Sequence, residues 1–258
     1  MDTALGIGDV LDAATGCQFA MTKHAPPPRH LFLSELPRAA VTLGSLALSQ
    51  ERLRAAPRGD GRPVLVLPGL GNTDKTTAVL RRWLNRLGYR AYGWELGRNR
   101  GARTIGEDAL LLEKRLEALF GETGEPVTLI GISLGGIMAR LMAHRRTELV
   151  REVITVSSPF AGPPTATNVW RAFEWLTGEK IGDPAVAANR EEAAAPLPVP
   201  STAIWSRSDG FVNGAICREP DGSECRAIEI DGGHLGVHMH PEAMLAIART
   251  LAGEAEAE

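Results

Sequence analysis

The chain predicts an α/β fold, a doubly wound and mainly parallel sheet of about six strands with helices on both faces. Short runs rich in Val, Ile and Leu alternate with amphipathic helical stretches along its length, and no internal repeat interrupts the alternation. The runs are continuously apolar rather than alternating, as parallel strands buried on both faces require. With 258 residues and 44% hydrophobic side chains, there is enough apolar material for one large core. Residues 1–60 read as an N-terminal arm and packing helix. Residues 61–258 read as the α/β domain, with a helical cap inserted at about 160–198.

Residues 1–30 end in Pro26-Pro27-Pro28, which favours an extended arm. From Leu31 to Leu53 apolar residues recur at helical spacing (Leu36, Ala40, Leu43, Ala47, with Leu46 and Leu53 alongside), so one helix is expected to pack this stripe on the domain. Pro63 to Leu67 is a buried strand ending in Pro68-Gly69-Leu70-Gly71. A helix follows from Thr73 to Gly88, with Thr73 or Asp74 as cap, Leu80, Trp83, Leu84 and Leu87 on one side, and glycine as its stop. Tyr89 to Leu96 reads as the second strand. A single helix from Thr104 to Phe120 then places Ile105, Leu112, Leu116 and Leu119 together.

Val127 to Ile132 is the third strand, followed by a helix from Leu134 to about Arg146 and a fourth strand from Val150 to Val156. Prolines and the aromatic group Trp170, Phe173 and Trp175 mark the cap. Ser201–Ser206 and Ala227–Ile230 are two more strands, and Pro241 to Leu251 is the closing helix with proline in its first turn. The tail Glu254–Glu258 is expected to fray.

Lys and Arg number 28 against 31 Asp and Glu, a formal charge of −3, and the arginines are scattered. Nothing in that balance attracts nucleic acid or an anionic surface over distance. The opening residues lack a basic stretch followed by an apolar one, and no later run approaches bilayer length, so the expectation is a cytoplasmic protein without stable membrane insertion. Three cysteines are too few for a disulfide framework; Cys217 and Cys225 flank the Pro220-Asp221-Gly222 turn and could meet across it, but reduced thiols are the expectation.

The chemistry concentrates in Gly131-Ile132-Ser133-Leu134-Gly135, a Gly-x-Ser-x-Gly between a strand and a helix. Such a turn holds its serine in a strained conformation that lifts the hydroxyl above the sheet. Ser133 is therefore the candidate nucleophile, with the Leu134 amide and the helix N-terminus facing any oxyanion formed there. A serine hydroxyl needs a base, and the base needs a carboxylate. Asp209 follows the Ser201–Ser206 strand and His234 follows the Ala227–Ile230 strand, in the order Ser, Asp, His. Asp231 is the rival carboxylate, disfavoured by its closeness to His234 on one strand exit. His234, His238 and His240 also spell His-x-x-x-His-x-His, but no acidic partner at matching spacing completes a metal site. Neither metal nor cofactor is expected.

From Pro63 to about Leu251 the chain resembles bacterial lipase and esterase-like α/β hydrolases, the specific parts being Gly-Ile-Ser-Leu-Gly-Gly and the Ser-Asp-His order. The resemblance implies hydrolysis of a small-molecule carboxylic ester through an acyl-enzyme, with Ser133, His234 and Asp209 as triad. It implies an oxyanion hole from the Leu134 and Leu70 amides, the latter in Pro68-Gly69-Leu70-Gly71 where lipase-like relatives carry His-Gly. Trp170, Phe173 and Trp175 of the cap form a substrate pocket or the cap's own small core. Trp94, with Arg98-Asn99-Arg100, stands at another strand exit and either shapes the entrance or is ordinary solvent-facing loop. An acyltransferase or thioesterase would use the same triad.

Two readings of other classes remain. Gly69 to Thr76 nearly spells a phosphate-binding loop, but Asp74 stands where its second glycine belongs and a carboxylate there repels phosphate. A non-catalytic binding module on the same scaffold would need a broken site.

Overall fold

The computed structural model describes residues 24–220 and 223–254. The expected arm before residue 24, the centre of the Pro220-Asp221-Gly222 turn and the tail after residue 254 lie outside these. In order, the elements are α1 (Arg29–Leu48), α2 (Gln50–Arg54), β1 (Pro63–Leu67), α3 (Asp74–Leu87), β2 (Arg90–Gly93), α4 (Ala102–Ile105), α5 (Leu110–Thr123), β3 (Val127–Ile132) and α6 (Leu134–Arg145). There follow β4 (Val150–Val156), α7 (Trp170–Thr177), α8 (Pro184–Ala194), β5 (Ser201–Trp205), β6 (Arg226–Glu229) and α9 (Pro241–Leu251).

Among the described residues, six strands form one sheet in the order β2-β1-β3-β4-β5-β6, and every neighbouring pair is parallel. Successive side chains point to opposite faces. Val64, Val66, Ile130 and Ile154 join α3 and α9 in one core, while Leu65, Leu67, Leu129 and Val153 join α5 and α6 in the other. The strand exits therefore share one rim, where ligands gather in such sheets.

Two expected elements are shorter or broken. The second strand stops at Gly93 rather than Leu96 because the Asp74 carboxylate takes the Trp94 and Glu95 amides, each at 3.0 Å, away from the ladder. The expected helix from Thr104 is interrupted after Ile105, where Gly106, Asp108 and Ala109 all take positive φ before α5 begins. Cys217 and Cys225 are free thiols.

The largest departure is α1, which is turned over. Leu36 and Leu43 of the stripe expected to pack are 75% and 55% exposed, and Ala40 and Ala47 are exposed with them. Glu35 and Thr42 face the domain instead; Leu46 and Leu53 pack as expected. Glu35 finds charge-assisted partners there, the Gly210, His234 and Leu235 amides, so hydrogen bonding decides the orientation. Arg38 also donates to the Ser208 carbonyl and hydroxyl. The same helix corrects the expectation that no run approaches bilayer length. Its 20 residues are long and apolar enough to cross a membrane by length and composition, with mean hydropathy 1.3.

Candidate active site

Ser133 is the single residue between β3 and α6, and its backbone sits at φ 51°, ψ −120°. A residue with a Cβ is held in that region only where its surroundings force it. Here the force is close packing: a Cβ on Gly135 would run into the Leu67 carbonyl, and one on Gly131 into Gly136. The glycines let α6 rise directly from the sheet, with Ser133 at the top.

The loops after β5 and β6 bring the other two candidates to it. His234 Nε2 lies 3.1 Å from Ser133 Oγ, and His234 Nδ1 lies 2.7 Å from Asp209 Oδ2. Asp209 is 2% exposed, and its Oδ1 accepts the Phe211 and Val212 amides at 2.8 and 2.9 Å. This leaves Oδ2 aimed at the imidazole. With the proton on Nδ1 donated to Asp209, Nε2 is free to accept from the serine hydroxyl. Burial opposes charging of His234, but the Asp209 charge, its hydrogen bond and the Glu35 charge outweigh it, so the imidazole pKa stands above the ordinary histidine value.

The rival Asp231 points elsewhere. Its carboxylate accepts from the Ser208 hydroxyl at 2.7 Å and pairs with Arg38 at 3.4 Å in solvent. His238 is buried and binds the Thr76 carbonyl through Nε2 at 2.9 Å, while burial lowers the pKa of His240.

A cavity of about 160 Å³ opens at Ser133 and is lined mainly by apolar groups, among them Leu70, Leu134, Met138, Trp170, Phe173 and Val212. Two of the expected pocket aromatics are not there. Trp175 is 82% exposed, because α7 turns Trp170 and Phe173 inward and Trp175 lies on its far side. Trp94 is fully buried in the α5–α6 core, with its indole N–H on the Gly97 carbonyl at 3.0 Å.

Two residues matter more than the sequence reading allowed. Asn99, wholly buried, donates to the Pro68 carbonyl at 2.7 Å, and its own carbonyl accepts the Gly71 amide at 2.7 Å, clamping the loop that carries Leu70. Glu35, 1% exposed, reaches from α1 to the loops of Asp209 and His234. Its one sequence signal is an acidic side chain within an otherwise apolar helical run. Asp74, the residue out of place in the phosphate-loop pattern, is engaged with the β2 exit as described, which accounts for its identity without a nucleotide.

This fold and rim define the architecture of the α/β hydrolases. Among solved structures, a Bacillus licheniformis lipase in mature form matches with TM-score 0.54 at 17% identity, over 76% of this chain and 93% of that one. A monoacylglycerol lipase of Paleococcus ferrophilus matches with TM-score 0.55 at 19% identity, over 76% and 97%. An α/β hydrolase from the metagenome of lagoon sediments in Morocco matches with TM-score 0.55 at 20% identity, over 75% and 91%. No family model matches the sequence. The chain has the α/β-hydrolase fold.

Proposed function

We propose that this protein is a serine hydrolase that cleaves small carboxylic esters through an acyl-enzyme intermediate. The observation that carries the reading is the unbroken line from Asp209 Oδ2 through His234 to Ser133 Oγ, at 2.7 and 3.1 Å. His234 takes the Ser133 proton as Oγ attacks the ester carbonyl, then delivers it to the leaving alkoxide. The Leu134 and Leu70 amides hold the tetrahedral oxyanion. Water, activated by the same imidazole, then releases the acid. Asp209 keeps the imidazole in the accepting tautomer and stabilises its cation.

Trp170 and Phe173 line the space for the acyl group. At about 160 Å³ the cavity is smaller than the roughly 300–1,000 Å³ usual for drug-sized ligands, which favours a short acyl chain. Labelling with a fluorophosphonate followed by peptide mapping tests the assignment. Modification at Ser133, with Ser133→Ala folded, unlabelled and inactive, is the expected result; modification at Ser157 or Ser158 instead removes it.

A further inference from the structure

We propose that Glu35 is a positioning residue for the Asp209–His234 pair, locking the two separate loops that carry them through their backbone amides. The inference deepens the triad reading above and rests on it. Glu35 Oε1 accepts the Gly210 amide at 2.7 Å and the His234 amide at 2.9 Å, and Oε2 accepts the Leu235 amide at 2.9 Å. One carboxylate thus joins the residue after the acid to the base itself and the residue after it. Charge-assisted bonds of this kind are short and directional.

The loops are shaped for this visitor. A Cβ on Gly210 would run into the Leu31 carbonyl, and a Cβ on Gly233 would lie 2.8 Å from Glu35 Oε2. The contact continues through side chains: Phe32 meets Phe211 with ring centroids 5.3 Å apart, and Phe211 stacks on the His234 imidazole, also at 5.3 Å. A helix outside the sheet therefore reaches the acid and base loops by backbone hydrogen bonds and by an aromatic stack. The charged or titratable groups facing His234 are Asp209 beyond Nδ1, Glu35 beneath its backbone and His238 beside it.

Glu35→Gln separates positioning from bulk. The carbonyl oxygen of glutamine can keep the Gly210 and His234 amides, while its NH₂ faces the Leu235 N–H and the charge is gone. For the folded variant, kcat/KM on a p-nitrophenyl ester and the rate of Ser133 phosphonylation should both fall about 10- to 100-fold, with labelling still reaching completion. The midpoint of the kcat/KM pH profile should move to lower pH. Glu35→Asp, which keeps the charge but shortens the reach, should lose rate with a smaller displacement of the midpoint. A folded Glu35→Gln enzyme with wild-type rate and midpoint overturns the proposal, and so does failure of both variants to fold, which would make Glu35 a folding group only. If wild-type Ser133 resists the label, the triad reading falls first; normal wild-type labelling with an indifferent Glu35→Gln leaves that reading standing and removes this one.

Discussion

Replacing Asp209 with asparagine tests how the three-residue line works. The Oδ1 that accepts the Phe211 and Val212 amides at 2.8 and 2.9 Å can be kept by the asparagine carbonyl, so the loop has no reason to unfold. The other position becomes an NH₂ group where Oδ2 now stands 2.7 Å from His234 Nδ1. Two donors cannot face each other, so the imidazole moves its proton to Nε2 and presents N–H, rather than a lone pair, to Ser133. A base in the wrong tautomer typically costs about 10⁴ in kcat, equivalent to roughly 5.5 kcal/mol at about 1.36 kcal/mol per tenfold. Stopped-flow acylation by p-nitrophenyl acetate reads this directly, with urea unfolding as the control for stability. The wild-type profile should rise with pH as His234 loses its proton, with a midpoint above that of an ordinary histidine because its pKa is raised; in Asp209→Asn the midpoint should drop. A loss smaller than about tenfold in acylation would refute the tautomer argument.

Three further outcomes follow from particular contacts. Arg140, fully buried, pairs with Glu219 at 2.8 Å and also donates to the Ala193 and Ala195 carbonyls at the C-terminal end of α8, so Glu219→Ala should destabilise by about 3–5 kcal/mol in urea by stranding a buried charge. Asn99→Ala frees the Pro68 carbonyl and the loop of Leu70; kcat should fall by up to about 10²–10³, the cost of one oxyanion donor, with KM less affected. Trp170→Ala or Phe173→Ala enlarges the cavity and should move the preference in a series of p-nitrophenyl esters towards longer acyl chains, whereas Trp175→Ala, altering an exposed side chain, should leave it alone.

The sheet was legible because its strands are continuous apolar runs, and that pattern needs no tertiary information. Ser133, Asp209 and His234 were legible for a related reason: each lies in the segment leaving a strand, and a parallel sheet delivers all strand exits to one rim. What the sequence concealed was decided by hydrogen bonds between distant segments. The stripe of Leu36 and Leu43 has the periodicity of a packing face, yet three backbone amides from far along the chain outcompete it for the inward side through Glu35. Trp94 looked like an entrance residue because it lies at the end of an expected strand; the carboxylate of Asp74 ends that strand early, and the indole drops into the core. Trp175 differs from Trp170 only by its angle around one short helix.

The inverted attachment of α1 bears on how the molecule should be handled at the bench. A truncated version begun at Pro63, the natural choice for anyone delimiting the protein by its sheet, would still hold Ser133, Asp209 and His234 but would lose Leu53 and Ala56 from the core. It would also lack the clasp over the Gly210 and Gly233 turns, so a feeble preparation of that kind would say more about where it was cut than about the chemistry of the intact chain.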